Sequence, residues 1–525
     1  LSSTGERDLL YRGPRPLHAF LLEKGGGVAF HSGPAGSGGQ EPVLAVYRRP
    51  DPSAVEGEGE EVLRCDLERA CGLLALDGRD RPLLLARPEG DLWKVVGLKE
   101  DGTMEILHGD PRGLADLEEV AFDPRTHEPL LAVYDTEGRR NYSLAPRVGE
   151  HLEEIERMLP DGNLHLEARG PGAPYWLITD SAARLQHRRY YLYDTRRRQL
   201  EPLLEEERLS VPHLPEELPV AKEHFSYRAS DGRKVYGFLS FPRGRDLSHA
   251  PLVAHIHGGP WSRVRQGFDP LTQFLVDRGY VVFEPNFRAS TGYGLDYVLA
   301  GRGQFGDGRV HRDIADGVRH LLDRGIGDPW RVGILGHSFG GFSALGAVAF
   351  SPELFKVGIA SAPAIDLLRA LEDLDEEARL GNGLPQKEVI LRFAVDPGDP
   401  TATERLRRAS PEQHLAETAR PLLILAGAKD EKIPLVDVEH YALALDGLGK
   451  DVSLLVDEDS GHGFEKPLLR EAYLYLLERF FGYHLGGAFD PGRDPRVETY
   501  LEGRLLLTGR SLEEALVPAV GTSPP

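Results

Sequence analysis

Residues 332–341, Val-Gly-Ile-Leu-Gly-His-Ser-Phe-Gly-Gly, set the tightest constraint on how this chain can fold. An apolar run, then Gly336-His337-Ser338-Phe339-Gly340, then the helix-like stretch 342–350 predicts a strand, a sharp turn and a helix, with Ser338 on the turn. Such a turn forces the serine into a strained backbone that only small neighbours tolerate, which accounts for glycine at 336, 340 and 341. The stretch from Val332 to Pro352 carries no charge and is long enough to cross a bilayer, but its five glycines, His337 and terminal proline make it a buried strand, turn and helix instead.

The surrounding sequence predicts where that turn sits. From Phe225 onward, strand-like runs (Leu252 to Ile256, Tyr280 to Phe283, Arg331 to Leu335, Val357 to Ala360, Leu422 to Leu425, Val452 to Val456) alternate with helical ones (Leu271 to Arg278, Ile314 to Asp323, Leu468 to Tyr483). Strands joined by helical crossovers demand a mainly parallel, doubly wound α/β sheet with helices on both faces. Residues 1–215 differ. Short β segments such as Leu83 to Ala86, Leu92 to Val96, Leu130 to Tyr134 and Tyr190 to Tyr193 are separated by Asp77-Gly78, Asp101-Gly102, Glu137-Gly138 and Asp161-Gly162. A weak repeat at Leu73 to His108, Val120 to Leu159 and Leu164 to Leu204, with a poorer one at His18 to Leu63, has the period of a four-stranded propeller blade. An irregular β sandwich is the alternative. Gly33 to Pro42 and Glu56 to Glu61 read as exposed loops. The Pro- and Glu-rich stretch Pro212 to Pro219 reads as a linker, which divides the chain into 1–215 (all-β), 216–487 (α/β) and a C-terminal extension, 488–525.

Charge narrows the partners. With 62 Lys and Arg against 83 Asp and Glu, the net charge of −21 repels nucleic acid and anionic membranes, so neither is expected as a partner. Cys65 and Cys71 are too few for a disulfide scaffold and lack zinc-site spacing, so they read as ordinary thiols. Leu1 to Thr4 shows no initiator Met, basic n-region or apolar h-region, which gives a cytoplasmic location as the expectation.

A serine hydroxyl needs a base within hydrogen-bond reach and a carboxylate that fixes the base's tautomer. Around turns of this kind the chain order is serine, acid, histidine. Asp430, after the strand Leu422 to Leu425, and His462, after Val452 to Val456, both fall at the carboxyl ends of strands, where active sites of open α/β sheets form. Asp396, Asp399 and Asp457 compete for the acid, and His414, His440 and His484 for the base, but they read as loop or helix-surface residues. His257-Gly258-Gly259-Pro260 follows another strand, where a loop is expected to donate a backbone N–H to a developing oxyanion. Pro260 has no N–H, so Gly259 is the candidate donor, joined by the N–H of Phe339. His255 and His257 share a strand face without a third ligand, so no metal is expected, and no cofactor either.

With these residues in place, the α/β half resembles the prolyl oligopeptidase family of serine peptidases, particularly its acylaminoacyl-peptidase and dipeptidyl-aminopeptidase-like members. The resemblance rests on His257 to Pro260, Asn286 to Gly294, Gly336 to Gly341, Gly427 to Pro434 and Asp457 to Phe464. It implies a C-terminal α/β-hydrolase domain preceded by a β-propeller that covers the active site. It also implies Ser338 as nucleophile, Asp430 as acid, His462 as base, and Gly259 and Phe339 as oxyanion donors. The expected substrates are short peptides or N-acylated amino acids, cleaved through an acyl-enzyme.

Two departures stand out. About 215 residues fall short of the family's seven or eight blades, so the propeller is reduced or incomplete in this chain. The adjacent glutamates Glu118-Glu119, Glu153-Glu154 and Glu216-Glu217 read as solvated pairs, which leaves dipeptidyl specificity unsupported. A carboxylesterase with the same triad is the alternative reading, and an inactive binding protein is the remote one. The extension after Gly487, including Arg504 to Leu516, is expected either to pack on the hydrolase or to mediate homo-oligomer assembly. If a propeller restricts entry, a chromogenic aminoacyl anilide and a peptide of about ten residues should be cleaved while intact casein is not. Efficient casein digestion would refute that gating.

Overall fold

The computed structural model describes residues 9–517 except 14–16, 36–42, 58, 67–69, 171, 206–219, 376–377, 379–385, 397, 465, 491 and 493. The chain forms two compact units: Leu1–Leu214 with Gly292–Asp296 and Asp375–Leu391, and Pro215–Thr291 with Tyr297–Leu374 and Arg392–Pro525. The linker expected at Pro212 to Pro219 lies outside the described residues.

The first unit is built from four antiparallel sheets whose strands follow chain order. They are β1 (Ala19–Leu22), β2 (Val28–Pro34), β3 (Leu44–Arg48) and β4 (Glu60–Cys65); β5 (Cys71–Leu76), β6 (Pro82–Ala86), β7 (Lys94–Leu98) and β8 (Met104–His108); β9 (Leu117–Phe122), β10 (Pro129–Asp135) and β11 (Arg139–Ser143); and β12 (Leu164–Glu167), β13 (Tyr175–Asp180), β14 (Arg189–Asp194) and β15 (Gln199–Glu205). Asp-Gly turns close two of the hairpins through the aspartate side chain, as Asx turns do. Asp77 Oδ1 accepts from the N–H of Arg79 at 2.9 Å, and Asp101 Oδ1 from that of Thr103 at 2.9 Å. Helix α1 (Pro146–Met158) buries Val148, Leu152 and Ile155, one helical stripe, against Leu131, Trp176 and Ile178.

Three sequence expectations are corrected in this unit. Cys65 and Cys71 are not thiols but a disulfide, with Cα atoms 5.9 Å apart. One residue ends β4 and the other starts β5, so the junction of two sheets brings them within bonding range. The acidic stretch is only partly loop, because Glu60 and Glu61 open β4 with their side chains exposed. Gly33 likewise lies buried within β2.

The second unit carries one nine-stranded sheet, in the order β16-β17-β19-β18-β20-β21-β22-β23-β24. Its strands are β16 (Val220–Arg228), β17 (Lys234–Pro242), β18 (Leu252–Ile256), β19 (Val281–Asn286), β20 (Val332–His337), β21 (Val357–Ser361), β22 (Leu422–Gly427), β23 (Val452–Asp457) and β24 (Leu505–Leu507). The six from β18 to β23 are parallel, and antiparallel pairing joins β16 to β17, β17 to β19 and β23 to β24. Its helices are α2 (Pro270–Asp277), α4 (Arg309–Asp323), α5 (Phe339–Phe350), α6 (Leu367–Glu372), α8 (Ala402–Arg408), α9 (Leu435–Gly447), α10 (Pro467–Leu485), α11 (Pro495–Leu501) and α12 (Arg510–Leu516), while α3 (Leu295–Leu299) and α7 (Gln386–Ala394) each run across a boundary between the two units.

Strands buried on both faces read as continuous apolar runs, as β22 and β23 do. On one face Leu335, Ile359, Leu423 and Leu455 pack with Leu275 of α2, Leu476 and Phe480 of α10, Leu501 of α11 and Leu512 of α12. The extension after Gly487 is therefore part of this core and adds the edge strand β24. Among the described residues, no helix is long and apolar enough to cross a membrane.

The disulfide is checked directly. Unreduced protein should show no titratable thiol, and Cys65→Ser should cost about 2 kcal/mol, the loop-closure value for so short a ring. Two thiols reacting without reductant would contradict the pairing.

Candidate active site

Ser338 lies between β20 and α5 with φ 58° and ψ −118°, a left-handed backbone for a residue with a Cβ. Close packing makes this possible and also requires the flanking glycines. A Cβ on Gly340 would sit 2.0 Å from the carbonyl oxygen of Ile256, and one on Gly336 would sit 2.4 Å from the backbone of Gly340. The Ser338 N–H donates to Ser361 O at 2.9 Å on the neighbouring strand, and its carbonyl accepts from Phe342 N at 3.0 Å. The turn is held from both sides, with the serine at the start of a helix.

The loop after β18 lies against this turn. A Cβ on Gly258 would be 3.5 Å from Ser338 Cβ, and Gly259 has φ 129°, which L side chains rarely adopt. His257 fixes the loop's base. Its ring stacks on Phe287 at 4.4 Å, Nδ1 lies 2.7 Å from Gly258 O, and Nε2 lies 2.9 Å from Ser290 Oγ. A carbonyl only accepts, so Nδ1 carries the proton and the Ser290 hydroxyl donates to Nε2. Burial pushes the His257 pKa down to about 4, which keeps the ring neutral. Phe339, the first residue of α5, packs its ring against Phe287, Phe305 and Phe342. Arg288 anchors the segment carrying Phe287 and Ser290. It is 1% exposed and bonded through Nε to Asp313 Oδ2 at 2.8 Å and through Nη1 to Asp231 Oδ2 at 2.7 Å.

Asp430 and His462 meet across adjacent strand ends, where Nδ1 donates to Asp430 Oδ2 at 2.8 Å. The other carboxylate oxygen, Oδ1, accepts from the N–H groups of Lys432 at 2.8 Å and Ile433 at 2.9 Å. Burial raises the Asp430 pKa, but the bond from His462 and the two backbone donors outweigh it and hold the carboxyl below its ordinary value. The His462 ring centroid lies 4.9 Å from that of His337, the residue before Ser338, whose pKa burial lowers to about 4. His462 also walls an open recess of about 340 Å3 that Lys429, Lys432 and Lys466 share.

The competing residues are engaged elsewhere. Asp399 caps Thr401 and pairs with Arg405 at 2.8 Å, Asp396 accepts from Gly398 N, and Asp457 is bonded by Tyr500. His414 faces Arg408 O at 2.8 Å, while His440 and His484 lie on α9 and α10. Of the glutamate pairs, Glu119 is bonded by Arg139, and Glu154 accepts from Tyr193 OH at 3.3 Å, so neither is simply solvated; Glu216-Glu217 lies outside the described residues. Sequence reasoning took Asn286 to Gly294 only as part of the family resemblance, giving no role to Phe287, Arg288 or Ser290, and missed Asp313, whose distance along the chain gives no sign that it meets Arg288.

Comparison with known proteins bears on family and fold. Residues 266–488 match the model of the prolyl oligopeptidase family. Dipeptidyl aminopeptidase BIII of Pseudoxanthomonas mexicana is 26% identical over 506 residues, covering 94% of this chain and 70% of that protein. Dipeptidyl peptidase family member 6 of Caenorhabditis elegans is 27% identical over 424 residues, 76% of this chain and 56% of that protein, so this chain spans only part of its relatives' length. An acylaminoacyl peptidase structure from Pyrococcus horikoshii superposes with a TM-score of 0.64 at 20% identity, over 90% of this chain and 71% of that one. The shared fold is an N-terminal β-propeller followed by an α/β-hydrolase domain. The match to the prolyl oligopeptidase family thus covers residues 266–488, the part of this chain that holds Ser338, Asp430 and His462.

Proposed function

We propose that Ser338, His462 and Asp430 hydrolyse short peptides or N-acylated amino acids through an acyl-enzyme. The observation that carries this reading is the 2.8 Å bond from His462 Nδ1 to an ionised, backbone-bonded Asp430, with the His462 ring 4.9 Å from that of His337, the residue before Ser338 on its strained turn. The names of the relatives, a dipeptidyl aminopeptidase and an acylaminoacyl peptidase, support a peptide or acyl-peptide substrate.

The chemistry follows from the tautomer. With Nδ1 donating to Asp430, the lone pair of His462 is on Nε2, where it takes the Ser338 proton as Oγ attacks the scissile carbonyl carbon. The carbonyl π pair moves onto oxygen, and the N–H groups of Gly259 and Phe339 stabilise that charge. Collapse of the intermediate breaks the C–N bond, and His462 returns its proton to the leaving amine. Water, deprotonated by His462, then repeats the sequence on the acyl-serine and regenerates the hydroxyl.

Ser338→Ala should lower kcat about 10⁶-fold and abolish labelling by a fluorophosphonate, and His462→Ala should be comparably damaging without adding to it. Asp430→Asn should cost roughly 10⁴-fold by admitting the wrong tautomer. Labelling that persists on another serine would overturn the assignment. Parallel turnover of matched peptide and ester substrates separates a peptidase from a carboxylesterase.

The pH dependence has a definite sign. The rate constant kcat/KM should fall at acid pH, because only a neutral imidazole accepts the serine proton. His337, already neutral above about pH 5, should not contribute, so His337→Gln should leave the midpoint in place. A midpoint that moves with that substitution would assign the acid limb to the wrong ring.

A further inference from the structure

The C-terminal extension reaches the turns from which Asp430 and His462 project. Tyr500 on α11 is 9% exposed, and its hydroxyl donates to Oδ2 of Asp457, the 3% exposed last residue of β23. Arg504, also in the extension, places Nε 3.6 Å from the same oxygen and lays its guanidinium 4.3 Å over the Tyr500 ring. The extension is fixed in register. β24 pairs with β23 at Leu454–Leu507 and Leu455–Leu505, and Val456 N donates to Arg504 O at 2.9 Å.

Asp457 ties two turns together. Its carbonyl accepts from Ala428 N at 2.8 Å, two residues before Asp430. Its Oδ1 accepts from Asp459 N at 3.1 Å, three residues before His462. Lys429 N donates to Ser460 O at 2.9 Å, and the Asp459 carboxylate bridges the ammonium groups of Lys429 at 2.8 Å and Lys466 at 3.2 Å. Both members of the His462–Asp430 pair therefore hang from turns tied to one residue, the Asp430 turn through the backbone carbonyl of Asp457 and the His462 turn through its buried carboxylate. A phenylalanine at 500 would cover the same apolar surface without the desolvation cost of a buried phenol and carboxylate. The hydroxyl has its use in orienting Asp457.

We infer that Tyr500 is a positioning residue, holding the Asp457 knot so that His462 and Asp430 stay in register. The inference rests on His462 acting as the base. Loosening the knot would shift the base and its carboxylate, so it should act on the chemical step. A small misplacement of a reacting group is costly to rate even when binding is intact.

The test compares Tyr500→Phe, Asp457→Asn, their double variant and Leu501→Ala, a packing change on the same helix, with kcat expressed per serine titrated by a fluorophosphonate. Tyr500→Phe should lower kcat about tenfold and leave KM within about twofold. The double variant should be no worse than Asp457→Asn alone, because both changes break one unit. Leu501→Ala should lower thermal stability yet keep kcat per titrated site. Unchanged kcat in Tyr500→Phe, or an equal loss in Leu501→Ala, would overturn the inference. If Asp457→Asn does not fold, hydrogen exchange of Tyr500→Phe decides: faster exchange confined to 457–464 supports the role, and unchanged exchange there overturns it. His462→Ala tests the underlying reading separately. If that variant is inactive while Tyr500→Phe is normal, the base assignment stands and only the positioning role fails.

Discussion

A serine at φ 58° survives only where its neighbours leave no space for the backbone to relax, and here the space is removed by backbone packed on backbone. The contact of Gly340 with the Ile256 carbonyl sets how closely α5 approaches β18, and with it how near the Gly258 to Gly259 loop comes to Ser338. Strain of this kind costs of order 1–3 kcal/mol and persists because the surrounding sheet over-determines it. Six parallel strands supply that determination. Their carboxyl ends lie along one edge, so residues far apart in sequence, His257, Ser338, Asp430 and His462, follow from four adjacent or near-adjacent strands.

Environment then assigns different duties to chemically similar groups. His257 and His337 are held neutral by burial and serve as fixed hydrogen-bonding and packing elements. Asp430 is also buried, yet three donors keep it anionic, which is the state needed to orient an imidazole. Of the lysines around the His462 recess, Lys429 and Lys466 give their ammonium groups to Asp459, while Lys432 meets the Asp430 carboxylate through its backbone N–H.

The elbow was legible because its chemistry demands glycines at fixed offsets after an apolar strand, a pattern written in ten consecutive residues. Asp430 and His462 were legible for a related reason, since each closes a clean apolar run. The propeller sheets were readable only in outline: the repeats at Leu73 to His108 and Leu164 to Leu204 coincide with whole four-stranded sheets, but no blade carries a sharp signature. What was not legible depends on tertiary meeting. The Cys65–Cys71 disulfide arises at a junction between sheets, which spacing alone does not encode. The Arg288–Asp313 pair joins a loop to a helix, and β24 is a three-residue strand whose pairing with β23 only the folded core creates.

The central claim is that the strained serine, the two backbone donors and the Asp430–His462 pair form one reacting centre. A crystal structure of the enzyme inactivated by a fluorophosphonate tests it most directly. The account predicts phosphorus bonded to Ser338 Oγ and a phosphoryl oxygen about 2.7–3.1 Å from the N–H groups of Gly259 and Phe339, with His462 still bonded to Asp430. An adduct on another serine, or a phosphoryl oxygen beyond reach of both N–H groups, would contradict it.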